Sequence, residues 1–290
     1  MNKPRIAFLG LGIMGSGMAR RILGAGFPLT AFNRNPEKSA LLASAGAAAA
    51  SSPRQAAAQA DIIVSMVADD QAARAVWLGG DGALAGAAPG SLCIESSTVS
   101  PGWVRELSAA AAARGCDLLD APVTGSRVHA ASGELRFLVG GTAASLDRAR
   151  PVLSAMGKTI TPLGPTGSGS LVKLINNFVC GVQVAALAEA LAMIERSGLD
   201  TAAALEVLTQ GAPGSPLVRT ISARMTASDY TPNFFLKLMA KDLSYAIQEG
   251  RGLSVELATA AAALGDFQNA IAAGLGDNDM SAVAEPLRRR

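Results

Sequence analysis

The chain has 290 residues, of which 50% are hydrophobic and 17% charged, with a formal net charge of +2. That composition supports a sizeable core, excludes a disordered chain, and excludes the strongly basic field of a nucleic-acid binder. Cys93, Cys116 and Cys180 are widely spaced and odd in number, which fits neither a disulfide framework nor a metal site and agrees with a reducing cytoplasm.

Apolar residues 6–9 lead straight into Gly10, Gly12 and Gly15, a G-x-G-x-x-G run that opens a helix-like stretch over 16–23. The N-terminal apolar run is thus broken by glycines, unlike a signal peptide. In a strand–turn–helix unit the first glycine makes the tight turn. The second lets a pyrophosphate approach the backbone, and the third lets helix and strand pack closely. Free N–H groups at the helix start then face the anion. Gly10, Leu11, Gly12, Ile13, Met14 and Gly15 therefore form a candidate cofactor-binding turn. Residues 28–33 read as the second strand, which ends at Asn33 and Arg34 where an acidic residue would hydrogen-bond the ribose of NAD. A guanidinium there suits a 2′-phosphate, which favours NADP and leaves NAD open.

Apolar runs at 62–66, 92–95, 117–120 and 135–139 alternate with helical patterns at 37–45, 70–77 and 104–114. The alternation predicts an α/β domain with a mainly parallel, doubly wound sheet. Ligands bind outside the carboxyl ends of such strands. Ser97 and Thr98 close one strand, and Thr124, Gly125 and Ser126 follow another. The latter three offer hydroxyl and N–H donors to a substrate carboxylate. His129, the only histidine, sits in an alanine-rich stretch at 127–131 and reads as an exposed loop residue.

The second half is predicted all-helical. After glycine-rich residues 164–169 a helical pattern runs from about 170 to 196, roughly 40 Å long. Leu171, Leu174, Ile175, Phe178, Val179, Val182, Leu187 and Leu191 make it apolar on nearly every side. Such a helix is expected to be buried around its circumference, shared by two domains. Lys173, Asn176, Asn177, Gln183 and Glu189 argue against a membrane span. Further helical patterns at 201–209, 218–225, 234–250 and 255–273 complete a second domain, so the expected division is 1–163 and 164–290. Lys173 lies in the first turn of the long helix, with Asn177 at i+4 on the same face. Burial of the amine would disfavour its charged form, and the helix dipole acts in the same sense, so that it could exchange protons near pH 7. The competing reading is a lysine that snorkels to solvent from the helix end. Lys237 and Lys241 share a helical face and read as solvated, as does the basic stretch 288–290.

Taken together, these segments resemble the β-hydroxyacid dehydrogenase family, which includes 3-hydroxyisobutyrate dehydrogenases, tartronate semialdehyde reductases and succinic semialdehyde (glyoxylate) reductases. The resemblance covers essentially the whole chain and rests on residues 8–19, 120–126 with 133–141, 167–177 and 241–243. It implies a Rossmann domain, a long connecting helix and a helical C-terminal domain, assembled as homodimers or homotetramers in the cytoplasm. It implies hydride transfer between NADP(H) and a small hydroxy acid or semialdehyde acid, with no metal, nucleic acid or membrane involved. Lys173 matches the family's catalytic lysine and Asn177 its substrate-orienting partner. Thr124, Gly125 and Ser126 match the carboxylate-binding loop, and Thr98 and Lys241 match cofactor-contacting positions. The common serine-glycine-glycine loop reads threonine-glycine-serine here, Glu134 stands where threonine is common, and Arg127 and His129 add polarity. These departures bear on the substrate more than on the reaction. Imine reductases share the fold but replace the lysine. A decarboxylating phosphogluconate enzyme would need a much longer helical region, and a cofactor-binding module without turnover would have no use for both Lys173 and Asn177.

Overall fold

Short strands that are buried on both faces read as unbroken apolar runs, and helices must then cover each face. The computed structural model, which describes residues 3–288, is built this way in its first half. The elements are β1 Ile6–Leu9, α1 Ile13–Gly24, β2 Leu29–Phe32, α2 Pro36–Ala43, β3 Ala48–Ala49, α3 Pro53–Ala57, β4 Ile62–Ser65, α4 Asp70–Leu78, α5 Ala83–Gly86, β5 Leu92–Glu95 and α6 Pro101–Ala112. They continue with β6 Asp117–Asp120, β7 Val123–Thr124, α7 Arg127–Ser132, β8 Leu135–Gly140, α8 Ala143–Met156 and β9 Gly157–Gly164.

The strand order is β3-β2-β1-β4-β5-β6-β8-β7, with β9 beside β8. Pairing is parallel except where β8 meets β6 and β7. Alternation along each strand feeds two cores. Ile6 and Phe8 join Met18, Ala19 and Ile22 of α1 on one face. Ala7 and Leu9 join Trp77 of α4 and Trp103, Val104 and Leu107 of α6 on the other. The register places Leu9 beside Ser65, Ser65 beside Glu95, and Glu95 beside Asp120. A row of polar side chains therefore lies at the carboxyl ends of β4, β5 and β6.

Several elements of this half, among them α7, α8 and β9, were not legible in the sequence. β9 pairs with β8 despite Pro162, as an edge position allows. The stretch around His129 is the helix α7 rather than a loop. Ser126 and His129 cap its start reciprocally, and Gly133, at φ +76°, ends it. The Cys116 thiol donates to the Ala88 carbonyl at 3.4 Å, while Cys93 and Cys116, distant in sequence, influence each other's ionisation. This lowers Cys116 to about 7 and pushes Cys93 up.

The second half is helical: α9 Ser168–Ser197, α10 Thr201–Gln210, α11 Pro216–Thr226, α12 Leu236–Gly252, α13 Ala258–Ala272, a 3-10 turn Met280–Ala284 and α14 Glu285–Arg288. Contacts divide the chain into Met1–Lys173 and Leu174–Arg290, so the division falls inside α9 rather than before it. In the second unit Val184, Leu187 and Leu191 of α9 form a core with Leu236, Met239 and Leu243 of α12 and Phe267 of α13. By length and composition α9 could cross a membrane, but half of its most apolar window is buried within the protein.

Two expectations are corrected. α9 is not buried all round: Ile175, Val179 and Met193 are exposed. Apolar character on every side does not create partners for every side within one chain. Arg288 is not a solvated tail residue but pairs with Glu195 and Glu285; residues 289–290 lie outside the described part.

Candidate active site

The glycine turn separates what the protein itself requires from what it leaves open. Gly10 has φ +101°, and a Cβ there would collide with the Met66 carbonyl. A Cβ on Gly15 would collide with the Gly10 carbonyl, while one on Gly12 would meet no atom within 4 Å. Gly12 caps α1 without a side-chain hydrogen bond. By contrast, Asn35, Ser52, Asp69, Ser100 and Thr142 supply side-chain caps to α2, α3, α4, α6 and α8. The start of α1 is thus open to an anion.

Leu11 and Asn33 shape this turn. The Leu11 N–H donates to Asn33 Oδ1 at 2.8 Å, its carbonyl accepts from Ser16 Oγ at 2.9 Å, and Asn33 Nδ2 donates to the Asn35 carbonyl at 2.9 Å. A cavity of about 290 Å³ beside the turn is lined by Gly12, Ile13, Ser16, Arg20 and Lys38 among others. Arg34 is exposed just after β2. Sequence reading missed Arg20 and Lys38, since only the folded βαβ unit brings α1 and α2 to one cavity.

At the next strand ends Glu95 is wholly buried, and burial pushes its carboxyl up. It accepts from Trp77 Nε1 and from the Ser97 N–H, both at 2.9 Å. Ser97 Oγ in turn accepts the Val67 N–H at 2.8 Å.

Asp120 is also wholly buried and its carboxyl is likewise raised by burial. Its Oδ1 accepts the Gly167 N–H and its Oδ2 the Ser170 N–H, each at 2.7 Å. The carboxylate therefore docks the first turn of α9 onto the end of β6. Glycines at 140 and 169 make room, because a Cβ at Gly140 would strike Asp120 Oδ1 and one at Gly169 the Leu138 carbonyl.

Beyond Asp120, Thr124 and Ser126 are partly buried. Gly125, at φ +122°, is walled by His129 Cβ and Leu135 Cδ2, each 3.1 Å from where its Cβ would be. His129 Nδ1 lies 3.1 Å from the Ser126 N–H nitrogen and 3.0 Å from Ser126 Oγ. An accepting Nδ1 leaves the ring proton on Nε2. The histidine read as a loose loop residue thus holds the end of the Thr124–Ser126 segment.

Lys173 is 8% exposed, so it does not snorkel to solvent. Asn177, one helical turn on, is also buried. In the second unit Asn177 Nδ2 donates to Asp242 Oδ2 at 2.6 Å, and its Oδ1 accepts from Asn176 Nδ2 at 2.9 Å. Lys241 Nζ pairs with Asp242 Oδ1 at 3.0 Å and lies 5.1 Å from the centre of the Tyr245 ring. Lys237 and Lys241 therefore part company. The first is exposed and pairs with Asp277, whereas the second is largely buried. Sequence reading missed Asp242; the one available signal was an acidic residue in an otherwise apolar helical face.

The profile for the NAD binding domain of 6-phosphogluconate dehydrogenase matches residues 5–164. That for the NAD-binding domain of NADP-dependent 3-hydroxyisobutyrate dehydrogenase matches residues 167–287. The chain is 36% identical over 286 residues to the NAD-dependent L-serine dehydrogenase of Pseudomonas aeruginosa, covering 96% of each. It is 37% identical over 279 residues to the L-threonate dehydrogenase of Cupriavidus necator, covering 96% of this chain and 94% of that protein. The crystal structure of 3-hydroxyisobutyrate dehydrogenase from Salmonella typhimurium matches with a TM-score of 0.89 and 35% identity, covering 98% of this chain and 100% of the other. With its open glycine turn and both halves matched, the chain belongs to the β-hydroxyacid dehydrogenase family of NAD(P)-dependent oxidoreductases.

Proposed function

We propose that this protein interconverts a small hydroxy acid and the corresponding oxo or semialdehyde acid, using NADP(H) in preference to NAD(H), with Lys173 as general acid and base. When bound, the dinucleotide supplies or accepts the hydride. Gly10, Leu11, Gly12, Ile13, Met14 and Gly15, with Asn33 and Arg34, hold its phosphates and adenosine end, joined by Arg20 and Lys38. Thr98 and Lys241 contact the rest of it. The open space over Gly12 and the uncapped start of α1 support this fit.

Thr124, Gly125 and Ser126 hold the substrate carboxylate. The Lys173 ammonium donates its proton to the substrate oxygen during reduction, its charge stabilises the oxyanion, and the amine takes the proton back in oxidation. Asn177, fixed by Asp242, orients the reacting hydroxyl. The observation that carries this reading is the Asp120 clasp. It binds the start of α9, three residues before buried Lys173, to the strand end from which the carboxylate loop departs.

The substrate is a small 2-, 3- or 4-hydroxy carboxylic acid, in keeping with relatives named for L-serine and L-threonate. The exposed apolar residues Ile175, Val179 and Met193 support a homodimer or homotetramer, acting in the cytoplasm. The test is NADPH consumption with succinic semialdehyde, glyoxylate, tartronate semialdehyde and a cyclic imine, repeated with Lys173→Ala. The expected result is turnover of at least one acid, lost in the variant while NADPH affinity is nearly intact. Turnover of the imine alone, or an undiminished Lys173→Ala enzyme, overturns the reading.

A further inference from the structure

Glu95 is a wholly buried acid that the chemistry above does not use. Its neighbours share one property: each presents a hydrogen to it. The indole N–H of Trp77 reaches Oε2 and the backbone N–H of Ser97 reaches Oε1. The same indole N–H is shared with Ser65 Oγ at 3.0 Å. Ser97, held to Glu95 by its backbone N–H, accepts the Val67 N–H through its Oγ at 2.8 Å. One carboxylate therefore organises two loops, that after β4 at Val67 and that after β5 at Ser97.

The first of these loops adjoins the glycine turn. The Met66 carbonyl and Val67 Cγ1 form the wall against which Gly10 packs, with Val67 Cγ1 2.9 Å from the position of a Gly10 Cβ. Thr98, a proposed cofactor contact, is the residue after Ser97. All these groups lie at the carboxyl ends of adjacent parallel strands, where ligands bind in this architecture.

We infer that Glu95 is a positioning residue for the cofactor, an all-acceptor hub that locks the loop after β4, behind the glycine turn, to the loop after β5. The inference rests on the reading that these loops flank a bound dinucleotide. It explains why the position holds an acid where an amide of the same shape would fill the space. A glutamine keeps one acceptor, and its NH2 group must face either the Trp77 or the Ser97 N–H. Two donors then oppose each other in a buried site.

The test is Glu95→Gln, with Trp77→Phe alone and Trp77→Phe/Glu95→Gln together. Removal of the indole donor lets the amide give its oxygen to Ser97 and turn its NH2 toward the Ser65 hydroxyl. NADPH affinity is read by fluorescence titration, folded fraction by circular dichroism, and, on the best acid substrate, kcat and KM separately. Glu95→Gln is expected to weaken NADPH binding and lower kcat by roughly tenfold or more, the worth of one buried hydrogen bond to a charged group. KM for the acid should stay near the wild-type value. The double variant should recover most of both losses even though Trp77→Phe lowers stability. Unchanged NADPH affinity in folded Glu95→Gln, or a double variant no better than the single one, overturns the inference. If Glu95→Gln does not fold, the double variant matching Trp77→Phe in NADPH affinity sustains the inference, and failing to match it overturns it. A wild-type protein that binds NADPH but reduces no acid sinks the substrate reading alone, and the NADPH titrations still decide the role of Glu95.

Discussion

The Asp120 carboxylate accepts the backbone N–H of Ser170 through one oxygen and that of Gly167 through the other, both at 2.7 Å. The last residue of β6 thereby caps a 30-residue helix through Ser170, fifty positions later in the chain. Two donors that a helix start leaves orphaned are satisfied by a side chain from the sheet. The negative charge also sits at the positive end of the helix dipole.

Asp120→Asn should therefore be costly. The amide keeps one acceptor, while its NH2 confronts a backbone N–H, so one buried donor is left unpaired at about 1–3 kcal/mol. The effect has a defined pH dependence. Burial raises the folded-state carboxyl above its ordinary value of 3.8, so the folded protein binds this proton more tightly than the unfolded chain. Stability from this group is fullest below that value and declines as pH rises through the folded-state value. The Tm gap between wild type and Asp120→Asn should accordingly narrow as pH rises from about 4. A gap that widens over that range would contradict the assignment.

The three glycines of the turn should respond differently to alanine. Gly10→Ala and Gly15→Ala force a Cβ into a carbonyl and should destabilise by roughly 2–4 kcal/mol. Gly12→Ala meets no atom, and its φ of −71° suits any residue, so the melting temperature should hold or rise slightly. If the pyrophosphate approaches the backbone at Gly12 as proposed, NADPH affinity should nevertheless fall at least tenfold, because the added methyl would stand in its way. Melting curves and NADPH titrations on all three variants check this. A Gly12→Ala protein with wild-type affinity would show that the open space serves no ligand.

Much of this arrangement was legible because it is local. The runs at 6–9, 92–95 and 117–120 coincide with β1, β5 and β6, and the glycine motif lies between β1 and α1. What escaped depends on partners distant in the chain. Asp242 becomes a site residue only through Asn177, 65 positions away. Glu95 reads as the end of an apolar strand until Trp77 is folded against it. His129 looked idle because its partner, Ser126, is a capping contact that alanine-rich surroundings do not announce. The exposed side of α9 failed for the opposite reason, since a helix pattern records which residues are apolar and not how many neighbours one chain can supply.

The Asn177–Asp242 hydrogen bond at 2.6 Å should be the most sensitive contact of the second unit. Asp242 is fully buried and also pairs with Lys241 at 3.0 Å. Asp242→Ala removes the acceptor for both, at an expected 3–5 kcal/mol. Asp242→Asn keeps the shape and lets its amide oxygen accept from Asn177, so its stability loss should be smaller. If Asn177 orients the reacting hydroxyl, Asp242→Asn will lower kcat more than KM. Steady-state kinetics beside urea unfolding separates the two effects. A variant that loses stability but keeps kcat would leave Asn177 with a structural role.

Cofactor choice should turn on Arg34. It is exposed just past β2, and Lys38 and Arg20 line the cavity beside Gly12. A 2′-phosphate there would take charge-assisted hydrogen bonds from these cations, of which a guanidinium offers the best geometry. Arg34→Ala should weaken NADPH roughly 10- to 100-fold, the equivalent of about 1.5–3 kcal/mol, and leave NADH nearly unchanged. Arg34→Asp should go further, because a carboxylate repels the phosphate and can accept from the ribose hydroxyls of NADH. Fluorescence titration with both nucleotides gives the ratio directly. Equal weakening of NADPH and NADH by Arg34→Ala would mean that the residue senses the dinucleotide as a whole, and the discrimination would then fall to Lys38 and Arg20. The same titrations on Lys38→Ala and Arg20→Ala decide that case, since the cation that touches the 2′-phosphate is the one whose loss affects NADPH alone.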